Sequence, residues 1–209
     1  MATLSRDKLK LIQGLYYGEK LSAREIAQSL NVSLDAVYYF MRFHGLTRRS
    51  YTEFNLVRFE KKPPSFKLRK KFTAKDKELR ALGTMLYWAE GFQASYADIV
   101  DFANSKPAMI SLFLKFLRRI CGIDESKLRI YLYCYSNQDV KGLINYWSKL
   151  TKIPKAQFTK PYVREDFKIE KVGKMKYGLI HVRYYDKKLL ELIRKWIEKY
   201  VKEYASVVP

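Results

Sequence analysis

Two histidines, His44 and His181, and two cysteines, Cys121 and Cys134, are spread over 209 residues. No Ser-His-Asp or Cys-His arrangement can be placed with so few imidazoles. Two cysteines by themselves make neither a disulfide framework nor a zinc site. No glycine-rich phosphate loop is present. What the chain holds in quantity is cation and ring: 41 Lys plus Arg against 21 Asp plus Glu, with 17 Tyr and 12 Phe. Cations meet phosphates, and aromatic faces stack on exposed bases. Tyr131, Tyr133 and Tyr135 recur at period two, which sets their rings on one side of a strand, opposite Cys134. Packing under helices is the commoner use of such rings, and it is the role expected of Trp88 and Trp147. His44 reads as a surface or packing residue rather than a ligand.

The formal net charge is +20, yet 48% of residues are hydrophobic and 15% aromatic. A disordered basic tail lacks such aromatic and aliphatic content, so the chain is expected to fold. No run of ~18 apolar residues suits a membrane span. Lys8 and Lys10 interrupt any apolar core of a signal peptide. The expectation is a cytoplasmic, nucleoid-associated protein with a polyanionic partner, no membrane and no small-molecule substrate. The charge divides evenly: residues 1–80 hold 18 basic and 8 acidic residues, and 81–209 hold 23 and 13. The densest stretch, Arg58 to Arg80, has 10 basic and 3 acidic residues around Pro63-Pro64. It reads as a basic connector, with Lys61, Lys62, Arg69, Lys70 and Lys71 placed to contact a polyanion. The expected domains are 1–50, a linker 51–76, and 77–209.

Three helices are expected before residue 50. Leu9, Ile12 and Leu15-Tyr16 make one helical face, with a stop at Gly18. Ser22 and Glu25 form a capping box, and Ile26, Ala27 and Leu30 follow as a buried face. Asn31 suits a tight turn, and Ser33 caps a helix whose inner face is Val37, Phe40 and Met41. Gly45 ends that helix and Leu46 tucks back. The run from Ile26 to Val37 resembles the helix-turn-helix family, with Ala27 as the small crossing residue and Asn31 where glycine is more usual. The resemblance implies that the second helix enters the DNA major groove. Its outward residues are Ser33, Asp35, Tyr38, Tyr39 and Arg42. Arg42 could fork onto guanine, and Arg48 and Arg49 suit phosphates.

The remainder reads as helix from Lys75, strand 97–102, helix 107–120, strand 128–135, helix 140–150, strand 158–163, strand 177–185 and helix 187–204. Asp186 is placed to cap the last helix. Lys168, Lys171, Lys174 and Lys176 flank Gly173 at an expected hairpin tip. This is an α+β order, not regular βαβ alternation.

The segment from Gly83 to Gly91, ending Trp88-Ala89-Glu90-Gly91, resembles the LAGLIDADG homing endonucleases and their non-cutting relatives. The Asn104-Ser105-Lys106-Pro107 turn and the closing strand-helix pair add to the likeness. The fold it implies is a mixed α/β domain with an antiparallel sheet. In that family the acidic residue at the helix end holds the divalent metal, and the matching residue here is Glu90. The family's small residue five places before the acid is Met85 here, with Gly83 two residues earlier. One copy of the motif implies that a cleaving enzyme would be a homodimer with two Glu90 carboxylates. Asp98 and Asp101 are alternatives, but on one strand they face opposite sides.

Three readings follow. The first is a sequence-specific double-stranded DNA-binding protein, a transcription regulator without cofactor, whose second domain adds DNA contacts or dimerises; the WhiA-type regulators pair the same modules in reversed order. The second is a homodimeric endonuclease using Glu90 and Mg²⁺. The third is an RNA-binding protein.

Overall fold

Ser22, Ser33, Ser50 and Thr73 each stand where a helix starts, and each accepts a hydrogen bond from the backbone N–H three residues on. Such caps satisfy one of the donors that a helix start leaves open. The computed structural model describes residues 4–165 and 175–205. The chain divides into two units, Met1–Pro63 and Pro64–Pro209.

In the first unit, α1 (Leu9–Gln13) runs on through a π turn, Gly14–Gly18. Helices α2 (Ala23–Ser29) and α3 (Leu34–Phe43) follow. Their core is Ile12, Tyr16, Ala23, Ile26, Ala27, Val37, Phe40 and Met41. Asn31 takes the left-handed conformation between α2 and α3, at φ +53°. A short polar side chain tolerates that backbone. The Val32 N–H then reaches back to the Ala27 carbonyl at 2.9 Å. Gly45, at φ +64°, ends α3, and the Leu46 N–H closes on the Met41 carbonyl at 2.8 Å.

The expected linker is different. A fourth helix, α4 (Tyr51–Lys61), occupies its first half and belongs to the first unit. Its start carries a full Ser50–Glu53 capping box. The second half packs on the second unit: the Ser65 N–H and hydroxyl both donate to Asp186, and the Lys67 N–H donates to the Gly122 carbonyl. The break between units falls at Pro63-Pro64, where proline removes the donors a helix needs.

The second unit is α+β, with a four-stranded mixed sheet. Its elements are α5 (Ala74–Glu90), β1 (Val100–Asn104), α6 (Pro107–Phe116) with a π turn to Cys121, β2 (Leu128–Tyr135), α7 (Val140–Thr151), β3 (Tyr162–Arg164), β4 (Leu179–Tyr184) and α8 (Lys187–Tyr204). The sheet order is β1-β4-β2-β3. Strands β1, β4 and β2 pair antiparallel, but β3 runs parallel to β2. The expected antiparallel sheet is therefore corrected to a mixed one. Helix α7 lies between β2 and β3, and a helical crossover returns the chain in the direction it left.

Two strands differ from expectation. The run 158–163 shrinks to β3 plus a single bridge between Phe158 and Ile130, because Pro161 has no N–H for the ladder. The run 97–102 becomes Val100–Asn104, so Asp98 lies before the strand. Lys168, Lys171, Gly173 and Lys174 lie outside the described residues. Trp147 is fully buried as expected, but Trp88 is 50% exposed, a correction.

The sheet's inner face (Phe102, Leu128, Ile130, Leu132, Ile180, Val182) joins helix residues in one core. One buried charge anchors this unit. The Asp76 carboxylate, 0% exposed, accepts from Arg119 Nε at 2.5 Å and from Thr73, and Arg69 approaches to 3.5 Å. The Arg119 guanidinium and the Thr73 N–H hold that carboxyl well below the usual carboxylate range. A carboxylate depressed in the folded state stabilises above its unfolded value of ~3.9, and the contribution is lost as pH falls further. Asp76→Asn should therefore melt several degrees below the parent at about pH 5–7, and the gap should close as pH drops below about 4. A constant gap across that range of melts would remove Asp76 as the source.

Candidate nucleic-acid interface

The outer face of α3 is built by its inner one. Burial of Val37, Phe40 and Met41 turns Asp35, Tyr39 and Arg42 outward, and all three are exposed. Residues at i, i+4 and i+7 share one helix face. Tyr39 is 59% exposed and stacks on Phe43, itself 71% exposed, with ring centroids 6.1 Å apart. Phe43 was not singled out from the sequence; its place four residues after Tyr39 is the signal. Ser33 is exposed but serves as the N-cap, accepting from the Ala36 N–H at 3.1 Å. Asp35 lies in the first turn, where a carboxylate suits the positive helix end. Tyr38 is half-buried beneath the Arg48 guanidinium, 4.3 Å from its ring centroid.

Arg48 and Arg49 part company. Arg48 stays exposed. Arg49 turns inward: its guanidinium donates to the Leu21 carbonyl at 3.0 Å and to the Tyr16 carbonyl, and lies 4.1 Å from the Tyr16 ring centroid. These contacts make Arg49 a structural tie, a correction to the phosphate-contact expectation.

The remaining basic residues are divided between the two units. Lys61 lies 3.9 Å from Glu25. Lys62 ends α4 and is exposed. Arg69 donates to the Lys71 carbonyl at 3.0 Å and pairs with Asp76 in the second unit. Lys70 and Lys71 are exposed. Within the first unit, α4 leaves a cleft of about 480 Å³ lined by Tyr17, Lys20, Arg48, Arg49, Glu53 and Glu60. Across it Lys20 pairs with Glu60 at 2.7 Å.

Glu90 is the last residue of α5 and is exposed. Its carboxylate accepts from the Asn104 amide at 3.4 Å. Among the described residues no group of three His, Cys, Asp or Glu side chains is arranged to hold a metal ion. Asp101 is turned to other work: it accepts from His181 Nδ1 at 2.8 Å and from Arg183 Nε at 2.7 Å. Both thiols are buried, and burial pushes each up from its ordinary value. Neither is suited to nucleophilic attack. Tyr131 and Tyr133 are half-buried on the sheet's outer side, while Tyr135 is buried.

Among the described residues no helix is long and apolar enough to cross a membrane. No protein-family model matches the chain, and no curated protein or solved structure matches it either.

Proposed function

We propose that the protein binds double-stranded DNA at a specific sequence and acts as a transcription regulator, with its first unit as a helix-turn-helix reader. The observation that carries this reading is the exposed row Asp35, Tyr39 and Arg42 on a capped helix, beside Ser33 and Tyr38. Small Ala27, 5% exposed, lets α2 and α3 cross closely. In the major groove Arg42 donates to a guanine edge, and Asp35 accepts from a cytosine amine. Arg48 contacts the phosphate backbone. The +20 charge supplies attraction that falls steeply with salt. The second unit, LAGLIDADG-like in this reading, adds DNA contacts or pairs with a second copy.

A second reading, a homodimeric endonuclease, draws on one observation. Leu82, 56% exposed, and half-buried Leu86 stand at i and i+4 on α5, on a face that runs on to Glu90 at i+8. Two copies joined there would carry two such carboxylates. One Glu90 with an amide neighbour is a poor Mg²⁺ site by itself, so no step is routed through the metal.

Selection from a randomised duplex library in the presence of Mg²⁺ separates the readings. Enrichment of one motif without cutting is the expected result. Specific cleavage that disappears in Glu90→Gln would establish the enzyme, and a preference for structured RNA would sink both. On the selected site, Arg42→Ala should relax choice at one base pair by about 1–3 kcal/mol. Arg48→Ala should weaken every duplex alike and lower the salt slope by about one. Equal loss on all sequences from Arg42→Ala would remove that residue from base reading.

A further inference from the structure

The outer face of the second unit's sheet carries groups that the duplex reading leaves unused. Across it run two rows set by strand register: Ala103, His181 and Tyr131, then Leu179, Tyr133 and Tyr162. The helices that touch the sheet share its opposite, buried face. The rings form a connected set. Tyr133 lies 5.3 Å from Tyr162 and 4.9 Å from His181, centroid to centroid. Tyr131 holds the Arg183 guanidinium 4.0 Å from its centroid and shares a 2.8 Å hydrogen bond with Tyr185. Tyr162 and Tyr185 are 58% and 48% exposed.

The charge on this face is cationic. Arg129, Arg164 and Arg183 occupy outward registers, as does Asp101. Arg129 spends its Nη1 on the Ser126 and Leu128 carbonyls, each at 2.7 Å. Asp101 is 6% exposed, is paired with Arg183 and is hydrogen-bonded to His181. A surface of arginines and phenol rings offers phosphates their counter-charge and bases a stacking partner. A duplex presents phosphates but hides its base faces. Spacing points the same way. Tyr133 and Tyr162 face each other across two strands with ring centroids 5.3 Å apart. That is wider than the ~3.4 Å step between stacked bases of a duplex strand. A strand that gives each ring its own base is therefore unstacked.

We propose that this face holds an unpaired DNA strand, with bases stacked on Tyr133 and Tyr162 and phosphates met by the Nε and Nη2 side of Arg129. The choice of DNA over RNA rests on the duplex-DNA reading of the first unit.

Fluorescence anisotropy of the intact chain tests this with labelled oligothymidine and oligouridine of about twelve nucleotides. Tyr162→Ala and Tyr133→Ala should each weaken oligothymidine binding roughly fivefold to a hundredfold. Tyr162→Phe keeps the ring and should bind as the parent does. Tyr162 is largely exposed, so its variants carry the test if Tyr133→Ala melts early. Arg42→Ala should leave oligothymidine binding unchanged while losing choice among duplexes, so failure of the duplex reading shows in that variant alone. The proposal is overturned by absence of oligothymidine binding, by unchanged affinity in Tyr162→Ala, or by tighter binding of oligouridine than oligothymidine.

Discussion

Gly83→Val is expected to abolish the cooperative melting of the second unit. A Cβ built on Gly83 would lie 2.1 Å from Phe116 Cγ and 2.5 Å from its Cβ. These atoms are the root of the ring, which no rotamer change carries away. Phe116 is fully buried, with Phe113 and Trp196 at centroid distances of 5.8 and 6.1 Å. Close-packed interiors do not absorb such an intrusion. Gly83→Ala already overpacks by about 1–3 kcal/mol, partly offset by ~1 kcal/mol of helix propensity. A unit of this size then loses up to about 10 °C in melting temperature. Valine adds two methyls to the same clash and approaches the whole ~5–15 kcal/mol of a domain's stability. Gly18→Ala, with nothing within 4 Å of the added carbon, is the control and should melt with the parent. Calorimetry of the three variants decides it; a Gly83→Val melt within a few degrees of the parent would mean that α5 and α6 separate freely.

The same clash explains a feature of the proposed pairing surface. Gly83 is spent on the contact between α5 and α6 inside one chain. Leu82 and Trp88 are the large hydrophobic side chains that α5 exposes. A second copy meeting α5 would therefore meet large side chains, not the small residue.

Local chemistry was legible in the sequence and long-range pairing was not. Ser22 with Glu25, Ser33, Asn31 and Gly45 act through neighbours within about five residues, so their types revealed the helix ends of the first unit. Asp186 does the same for α8, accepting from the Leu189 N–H at 3.2 Å. Helix α4 was missed because charge density and Pro63-Pro64 dominated the reading, although Ser50 and Glu53 spell a capping box. The alternation in β2 correctly set Tyr131 and Tyr133 outward. The direction of β3 depends on which side of the sheet α7 crosses, which no local pattern records. The ties of Asp101 to His181 and Arg183 span some eighty residues of chain. Only the register of β1 on β4 brings them together.

Arg49 is where that blindness had the largest consequence for the candidate site, and Arg49→Ala should lower the first unit's melting temperature by about 10–25 °C. An arginine immediately before a helix cap, next to Arg48, reads as a phosphate ligand. Its partners are two carbonyls, at Tyr16 and Leu21, that face inward where α1 and its π turn end. Charge-assisted bonds to such acceptors are worth ~1.5–3 kcal/mol each, and the guanidinium over Tyr16 adds ~0.5–1 kcal/mol. Arg49 is half-exposed, so water replaces part of this, leaving about 2–4 kcal/mol lost. Lysine has one ammonium and no planar fork, so Arg49→Lys should recover little. Arg48→Ala, by contrast, should melt with the parent and bind every duplex more weakly. The deciding comparison is DNA binding measured well below each variant's melt. There Arg49→Ala should keep both the affinity and the sequence choice of the parent, because the side chain it lacks is bonded to the Tyr16 and Leu21 carbonyls. A uniform loss of duplex affinity in cold, folded Arg49→Ala would return this residue to the phosphate backbone.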